Sequence, residues 1–205
     1  MNITANIKFP LFSNTRCLMM PYIQGEPNSV PKEYQNYKEI IENIYIKKGD
    51  IGFITIDESI VEAGKPHRGD RAKHGRAIHT EAGIIQTNDG VVSKWGSSWG
   101  GRPLVTLDDG VEILLANSIN ESCAIWNSEH KDTFEDGDIG HVADMYPYSD
   151  AHMMKSGEVY KIGLFTPHES LPVKETVRRQ FLRIVSSGVH GREPYFTTNS
   201  LLNFS

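Results

Sequence analysis

The sequence predicts a mainly β, α+β fold: an antiparallel jelly-roll sandwich buttressed by one N-terminal helix. Two observations predict it. From Ile51 onward the apolar runs are short, and Gly, Asp, Asn and Pro separate them. Before Ile51, one segment has its apolar residues at helical spacing. A rhythm of about 10 to 15 residues per strand and turn favours antiparallel strands over alternating strands and helices.

The helix is expected between Ser29 and Gly49. Ser29 offers an N-cap hydroxyl, Pro31 occupies the first turn, where a missing N–H is tolerated, and Gly49 ends the segment. The residues at helical spacing are Tyr34, Tyr37, Ile40, Ile41 and Ile44. A second short helix near residues 143–155 is an open alternative to loop structure there.

Length and composition predict one domain of 205 residues: a helical or extended segment 1–50, a β-sandwich core 51–187 and a C-terminal docking segment 188–205. A net charge of -5 excludes a generally basic nucleic-acid binder. The two cysteines, Cys17 and Cys123, lie far apart, which argues against a disulfide framework or a thiolate metal site. Without a signal-like start or a long apolar run, we expect a cytoplasmic protein with no membrane contact. The oligomeric state is left open.

Positive charge is concentrated between Lys65 and Arg76, where five basic residues accompany one aspartate. This stretch is either a solvated loop or a surface that binds a small anionic substrate; nucleic acid is a further option that nothing specifies. The Gly/Ser-rich sequence WGSSWGG adds two aromatic side chains that are suited to a pocket wall. The substrate-binding candidates are His67, Arg68, Arg71, Arg76, Trp95 and Trp99.

Histidine followed two residues later by a carboxylate is the chemical pattern that the sequence offers. On a strand, residues i and i+2 project to the same side, so such a pair can supply two ligands of a metal that needs two imidazoles and one carboxylate. The pairs are His79 with Glu81 and His130 with Asp132. The first lies in a strand-like context and the second in an acidic, turn-rich one. We therefore favour His79 and Glu81 and keep the other pair as the alternative.

A third ligand is expected from His168, which follows an apolar strand. Arg178 and Arg179 come next, at the start of another strand, and an arginine there can bind a carboxylate in a bidentate manner. Only one of two adjacent strand residues faces inward. The pattern leaves the choice between them open, with a slight preference for Arg179.

The ordered set of an H-x-[DE] pair, a distant histidine and a following arginine resembles the Fe(II)/2-oxoglutarate-dependent oxygenases, which share the double-stranded β-helix of the cupins. The resemblance spans roughly residues 76–185. It implies that His79, Glu81 and His168 bind Fe(II), that Arg179 or Arg178 binds 2-oxoglutarate, and that the protein oxidises a substrate as a hydroxylase-like dioxygenase. Glu81 departs from the aspartate that is commoner in the family.

Two further functions stay open. One is a cupin-like metal-binding or hydrolytic protein without redox chemistry, in which the same residues hold Zn(II) or Mn(II). The other is a metal-free jelly-roll interaction module that uses the basic stretch Lys65–Arg76 to contact an acidic partner. Metal identity in the purified protein separates these alternatives from an iron-dependent oxygenase.

Overall fold

Strands dominate the computed structural model, so the prediction of a mainly β chain is confirmed. The structure describes residues 2–67, 75–87, 90–95, 103–104, 111–134, 137–186 and 196–202. The strands are β1 (Asn2–Asn6), β2 (Arg16–Ile23), β3 (Ile51–Val61), β4 (Ala82–Thr87), β5 (Gly90–Trp95), β6 (Pro103–Leu104), β7 (Glu112–Asn117), β8 (Cys123–Ile125), β9 (His152–Met153), β10 (Glu158–Gly163), β11 (His168–Ser170) and β12 (Val177–Val185).

The described strands form three antiparallel sheets. The largest has the order β1-β10-β7-β12-β3-β2, a smaller one has the order β11-β8-β9, and β4, β5 and β6 form the third. The central pair is β3 with β12, in register from Val61 opposite Val177 to Phe53 opposite Val185. Just before β4, His79 adds an isolated antiparallel bridge to His168 at the free edge of β11.

Successive residues of a strand project to opposite faces of the sheet. In the large sheet the residues on both faces are apolar, and both faces are therefore buried. On β7, Ile113 and Leu115 belong to one core cluster, together with Cys123 and Ile125 of the smaller sheet. Residues Leu114 and Ala116 belong to a second cluster, on the opposite face. The first cluster therefore fills the space between two sheets, as in a β-sandwich.

The N-terminal helical segment covers the second face, but it is shorter than the sequence predicts. A 3-10 helix, Lys32–Tyr37, runs into one α-helix, α1 (Lys38–Asn43), and the helix ends well before Gly49. Ser29 does not cap it, since its hydroxyl oxygen accepts from the N–H of Ile23 and its hydroxyl hydrogen points to the carbonyl of Glu26. The apolar side chains still point inward, and Ile41 is fully buried in the second cluster. The first 50 residues also contribute β1 and β2 to the large sheet, so the segment is both helical and extended.

A third apolar cluster packs on the outer face of the smaller sheet. A 3-10 helix, Gly140–Met145, packs with Trp126 and Ile78 in this cluster. A second 3-10 helix, Tyr148–Asp150, precedes β9, so the short helical structure left open near residues 143–155 consists of 3-10 turns and not of an α-helix.

The C-terminal residues that the structure describes, 196–202, dock against β2. The N–H of Thr197 donates to the carbonyl of Leu18 (2.8 Å), and Asn199 donates to the carbonyls of Pro21 and Ser29 (2.7 Å each). Among the described residues, no helix has the length and apolar character needed to cross a bilayer.

Candidate functional site

Two separate chain segments bring His79, Glu81 and His168 together. The N–H of His79 donates to the carbonyl of His168 (3.0 Å), and the N–H of His168 donates back to His79 (2.9 Å). The two imidazole rings lie 4.3 Å apart between centroids. Nε2 of His168 lies 3.4 Å from Oε1 of Glu81. All three side chains are buried, so residues that are distant in sequence form one cluster.

A close approach by Gly137 fixes the backbone between His79 and Glu81. The N–H of Thr80 donates to the carbonyl of Gly137 (2.8 Å). Gly137 has a φ of +82°, and a Cβ there would lie 2.4 Å from the carbonyl oxygen of Thr80. Only glycine fits both the conformation and the contact.

Backbone carbonyls set the tautomer of both histidines. Nδ1 of His79 lies 2.9 Å from the carbonyl of Ala77, and Nδ1 of His168 lies 3.0 Å from that of Thr166. A carbonyl only accepts, so each Nδ1 must carry the proton. In a neutral ring, Nε2 then has the lone pair, which is the arrangement that ligating histidines adopt in metal sites.

The contact between His168 and Glu81 then requires a cation. In the neutral tautomer, Nε2 of His168 and Oε1 of Glu81 are both acceptors, and they lie 3.4 Å apart. Such a pair is favourable when a positive charge is shared between the two atoms, either a proton on Nε2 or a metal ion. The donor types and the tautomers therefore fit a site with two histidines and one carboxylate.

Arg183 already occupies the other side of the Glu81 carboxylate. Its Nη1 donates to both Oε1 and Oε2, at 3.3 Å each, and its Nη2 donates to Oγ1 of Thr55 at 3.4 Å. Burial raises the pKa of Glu81. The charge of Arg183 and the contact with His168 together lower it by more than burial raises it, so the pKa of this carboxyl lies well below its ordinary range. Glu81 is therefore an ionised carboxylate in the interior.

A small cavity of about 30 Å³ adjoins this cluster. That volume accommodates one or two water molecules, and a five-carbon dicarboxylate does not fit among the described side chains as they stand. The lining side chains are the three cluster residues with His67, Leu115, Cys123, Ser170, Arg179 and Phe181. Burial, the largest cause, raises the pKa of the Cys123 thiol to about 11, so this side chain is a neutral thiol.

The alternation of β12 separates the two adjacent arginines. Arg179 is 2% exposed, lines the cavity and lies with its guanidinium 5.5 Å from the ring of Phe181. Arg178 is exposed on the other face, 5.4 Å from the ring of Phe12. Of the two, Arg179 is therefore the arginine that faces the cluster.

His67 is held at the cavity by residues that the sequence analysis did not select. Its Nε2 lies 2.8 Å from Oδ2 of Asp57, and its Nδ1 lies 3.2 Å from Oγ of Ser59. Burial raises the pKa of Asp57, but His67 and Arg16 lower it more, to about 2. The available signal was an aspartate and a serine at positions i and i+2 of β3, which an extended chain places on the same side. Arg183, within the apolar run FLRIV, gave the same kind of signal.

Arg76, which the sequence analysis assigned to substrate binding, does not line this cavity. Its guanidinium packs against the rings of Tyr148 (4.1 Å) and Trp126 (5.3 Å). It also donates to Glu169 through Nε and Nη2 (3.1 and 2.6 Å). Through these contacts, Arg76 connects Glu169 of the smaller sheet with Tyr148 of the 3-10 helix that packs on it. Arg68, Arg71, Trp99 and the side chain of Trp95 lie outside the described residues.

In the alternative ligand pair, His130 with Asp132, both ring nitrogens of the histidine already lie within hydrogen-bonding distance of protein groups. Nε2 of His130 donates to the backbone carbonyl of Asp132 (2.9 Å), and Nδ1 accepts from the hydroxyl of Tyr146 (2.7 Å). The Asp132 residue is exposed. Both ring nitrogens thus have structural hydrogen bonds within the loop.

Within the described part of the chain, no group of three or more His, Cys, Asp and Glu side chains is placed so that it could hold a metal ion. Glu81 instead shares its oxygens between Arg183 and His168. No family model, curated protein or solved structure matches this chain.

Proposed function

We propose that this protein is a non-haem Fe(II)/2-oxoglutarate-dependent oxygenase of the double-stranded β-helix class. His79, Glu81 and His168 hold the metal ion, and Arg179 binds a carboxylate of the co-substrate. The observation that carries the proposal is the buried contact between Nε2 of His168 and Oε1 of Glu81 beside His79, because a shared positive charge, a proton or a metal ion, makes this contact favourable.

The strand order supports the fold that this proposal requires. In chain order, the relevant units are β3, the His79 bridge, β7, β8, β9, β10, β11 and β12. One layer contains β3-β12-β7-β10, and the facing layer contains the His79 bridge with β11-β8-β9. The first unit, β3, thus lies beside the last, β12. The second unit, the His79 bridge, lies beside the second last, β11. Two sheets wound in this way are the pattern of an eight-stranded jelly roll.

Each protein side chain has a defined task in the proposed site. His79 and His168 offer Nε2 because backbone carbonyls hold their Nδ1 protons. Glu81 supplies negative charge, since its pKa lies far below the ordinary range. Fe(II) bound there would supply the activation of dioxygen that couples co-substrate decarboxylation to substrate oxidation.

Arg179 is suited to bind a carboxylate beside the metal ligands. It is buried, lines the same cavity and presents a planar fork of donors. The cavity of about 30 Å³ must enlarge to admit 2-oxoglutarate, so we expect side-chain rearrangement on binding.

The test is an anaerobic Fe(II) titration followed by a 2-oxoglutarate conversion assay. We expect about one equivalent of iron, lost in His79→Ala and in His168→Ala, and succinate formation that depends on iron. Arg179→Met should keep the iron and weaken 2-oxoglutarate binding by about tenfold or more, because a charged hydrogen bond is lost. The matched control is His141→Ala, which removes an exposed histidine. If both histidine variants bind iron like the unmodified protein, the proposal is wrong.

A second candidate is a cupin-like protein that binds Zn(II) or Mn(II) without redox chemistry. Two observations favour it: the cavity is small, and Arg183 already pairs with the carboxylate. In that case the same histidine variants lose metal, the native metal is not iron, and no succinate forms. Metal analysis of protein purified without added metal distinguishes the two candidates.

A further inference from the structure

Asp57, His67 and Ser59 form a hydrogen-bonded chain of carboxylate, imidazole and hydroxyl. Asp57 and Ser59 lie two residues apart on β3 and therefore project to the same side of the strand. Nε2 of His67 lies 2.8 Å from Oδ2 of Asp57, and Nδ1 lies 3.2 Å from Oγ of Ser59. The imidazole is buried, with 4% of its side chain exposed, whereas Ser59 is half-buried. The ring is thus held in place beside a hydroxyl that is partly accessible.

The charge of Asp57 determines which nitrogen of His67 has the lone pair. Burial raises the pKa of Asp57, but its bonds to His67 and Arg16 lower it more, to about 2, so the group is a carboxylate. A carboxylate only accepts, and Nε2 of His67 must therefore carry the proton. In the neutral ring, Nδ1 then accepts from the hydroxyl of Ser59, at a distance that allows proton transfer. This is the arrangement that activates a serine nucleophile.

Arg179 places a positive charge on the same side of the sheet. It lies directly opposite Ser59 in the register of β3 with β12, and opposite residues project to the same face. Its guanidinium lies 5.5 Å from the ring of Phe181, which lies 6.3 Å from the ring of His67. These three side chains line the cavity of about 30 Å³. A fixed cation there is suited to stabilise negative charge that develops on a carbonyl oxygen during acyl transfer.

We propose that Ser59 is the nucleophile of a second site, which hydrolyses carboxylic esters with small acyl groups. His67 is the general base and Arg179 the donor to the carbonyl oxygen, while Asp57 is a positioning residue. The inference goes beyond the proposed function and needs no metal ion. The small volume of the adjoining cavity limits the acyl group to about the size of acetyl.

The reaction proceeds in two steps that share one path for the proton. Oγ of Ser59 forms a bond to the carbonyl carbon and gives its proton to Nδ1 of His67. The bond to the leaving alcohol then breaks, and the alcohol oxygen takes that proton from Nδ1. Water attacks the acyl-serine along the same path, which releases the acid and restores the hydroxyl of Ser59.

Hydrolysis of p-nitrophenyl acetate in the presence of EDTA tests the activity, and a fluorophosphonate probe marks the nucleophile. We expect hydrolysis above the rate in buffer and labelling of Ser59, located by peptide mass spectrometry. Ser59→Ala should remove both. His67→Gln should slow labelling by about 100-fold or more, the size of a general-base contribution. The matched control is Ser149→Ala, which should change neither, because this exposed serine contacts a carboxylate, that of Asp150, and no histidine.

Asp57→Asn distinguishes a positioning role from a structural one. The amide nitrogen of asparagine can donate to Nε2 of His67, which places the ring proton on Nδ1 and removes the lone pair that faces Ser59. The rate constant of fluorophosphonate labelling should therefore fall about tenfold or more. A purely structural role would instead lower the fraction of protein that is finally labelled and leave the rate constant unchanged.

Ser59→Cys gives a readout that does not depend on ester turnover. A thiol beside Nδ1 of His67 should lose its proton more readily than an ordinary thiol, so iodoacetamide should alkylate it about tenfold faster at neutral pH than the thiol of Ser149→Cys. The native cysteines, Cys17 and Cys123, are both buried, and peptide mass spectrometry separates their products.

The inference is overturned if the fluorophosphonate leaves Ser59 unlabelled, or if Ser59→Ala hydrolyses the ester like the unmodified protein. Equal alkylation rates in Ser59→Cys and Ser149→Cys would also overturn it, because His67 would then not act as a base toward position 59. These readouts need no metal and no 2-oxoglutarate, so they leave the test of the proposed oxygenase independent.

Discussion

Two buried glutamates, Glu58 and Glu81, lie in opposite kinds of surroundings. Glu58 accepts four hydrogen bonds of 2.6 to 2.9 Å, and all of the donors are neutral: the N–H groups of Ser13 and Thr15, the hydroxyl of Tyr37 and the amide of Gln180. Glu81 makes longer contacts, 3.3 to 3.4 Å, to an arginine and a histidine beside a cavity.

The difference separates two ways of stabilising a buried carboxylate. Around Glu58, short bonds from neutral donors fasten the N-terminal segment to β3 and β12. Around Glu81, the compensation is mainly electrostatic and comes from Arg183 and His168. Hydrogen-bond saturation, more than burial, therefore distinguishes the two sites.

The largest expected effect is on stability, from Glu58→Ala. This change leaves four donors without their acceptor, two of them on the buried residues Tyr37 and Gln180, so we expect the free energy of unfolding to fall by about 3 to 5 kcal/mol. Urea denaturation measures it. The folded variant should bind metal like the unmodified protein. A loss below about 1 kcal/mol would contradict the structural assignment of Glu58.

A smaller effect is expected from Asp57, which holds His67 at the cavity. Its pKa is about 2 in the folded protein, against an ordinary value of 3.8, so its ionised form favours the folded state. This contribution is complete above about pH 4 and is lost as the pH falls toward 2. Asp57→Asn should flatten the dependence of stability on pH in that window.

Thermal unfolding between pH 2 and pH 6 checks this expectation. An exposed residue, Asp144, supplies the matched control as Asp144→Asn. Equal pH slopes for Asp57→Asn and the unmodified protein would show that the bonds of Asp57 to His67 and Arg16 contribute nothing to folding.

The smallest effect is expected from Arg178→Ala. The side chain is exposed and contributes one contact with the ring of Phe12, so its removal should cost at most about 1 kcal/mol of stability. Mn(II) and 2-oxoglutarate affinities should not change. Weaker 2-oxoglutarate binding in this variant, as in Arg179→Met, would show that the exposed arginine takes part in the site.

The candidate cluster was partly accessible from sequence because strand geometry is local. A residue and its second neighbour on an extended chain share a side, which placed His79 with Glu81, and alternation made Arg178 and Arg179 mutually exclusive. The same reasoning did not anticipate the contacts of Arg76. A basic residue near the site suggested substrate binding, whereas the rings of Tyr148 and Trp126 and the carboxylate of Glu169 hold it elsewhere.

By itself, the sequence determined the β-rich character of the chain, the apolar faces of its strands and the residue types that can share a metal or an anion. Those properties depend on periods of two to four residues. Only the tertiary structure decided that His168 bridges His79, that helix α1 ends at Asn43, and that Arg183 meets Glu81. The contacts of His168 with His79 and of Arg183 with Glu81 join segments far apart in sequence. Their energies come from burial and charge pairing, which no local pattern encodes.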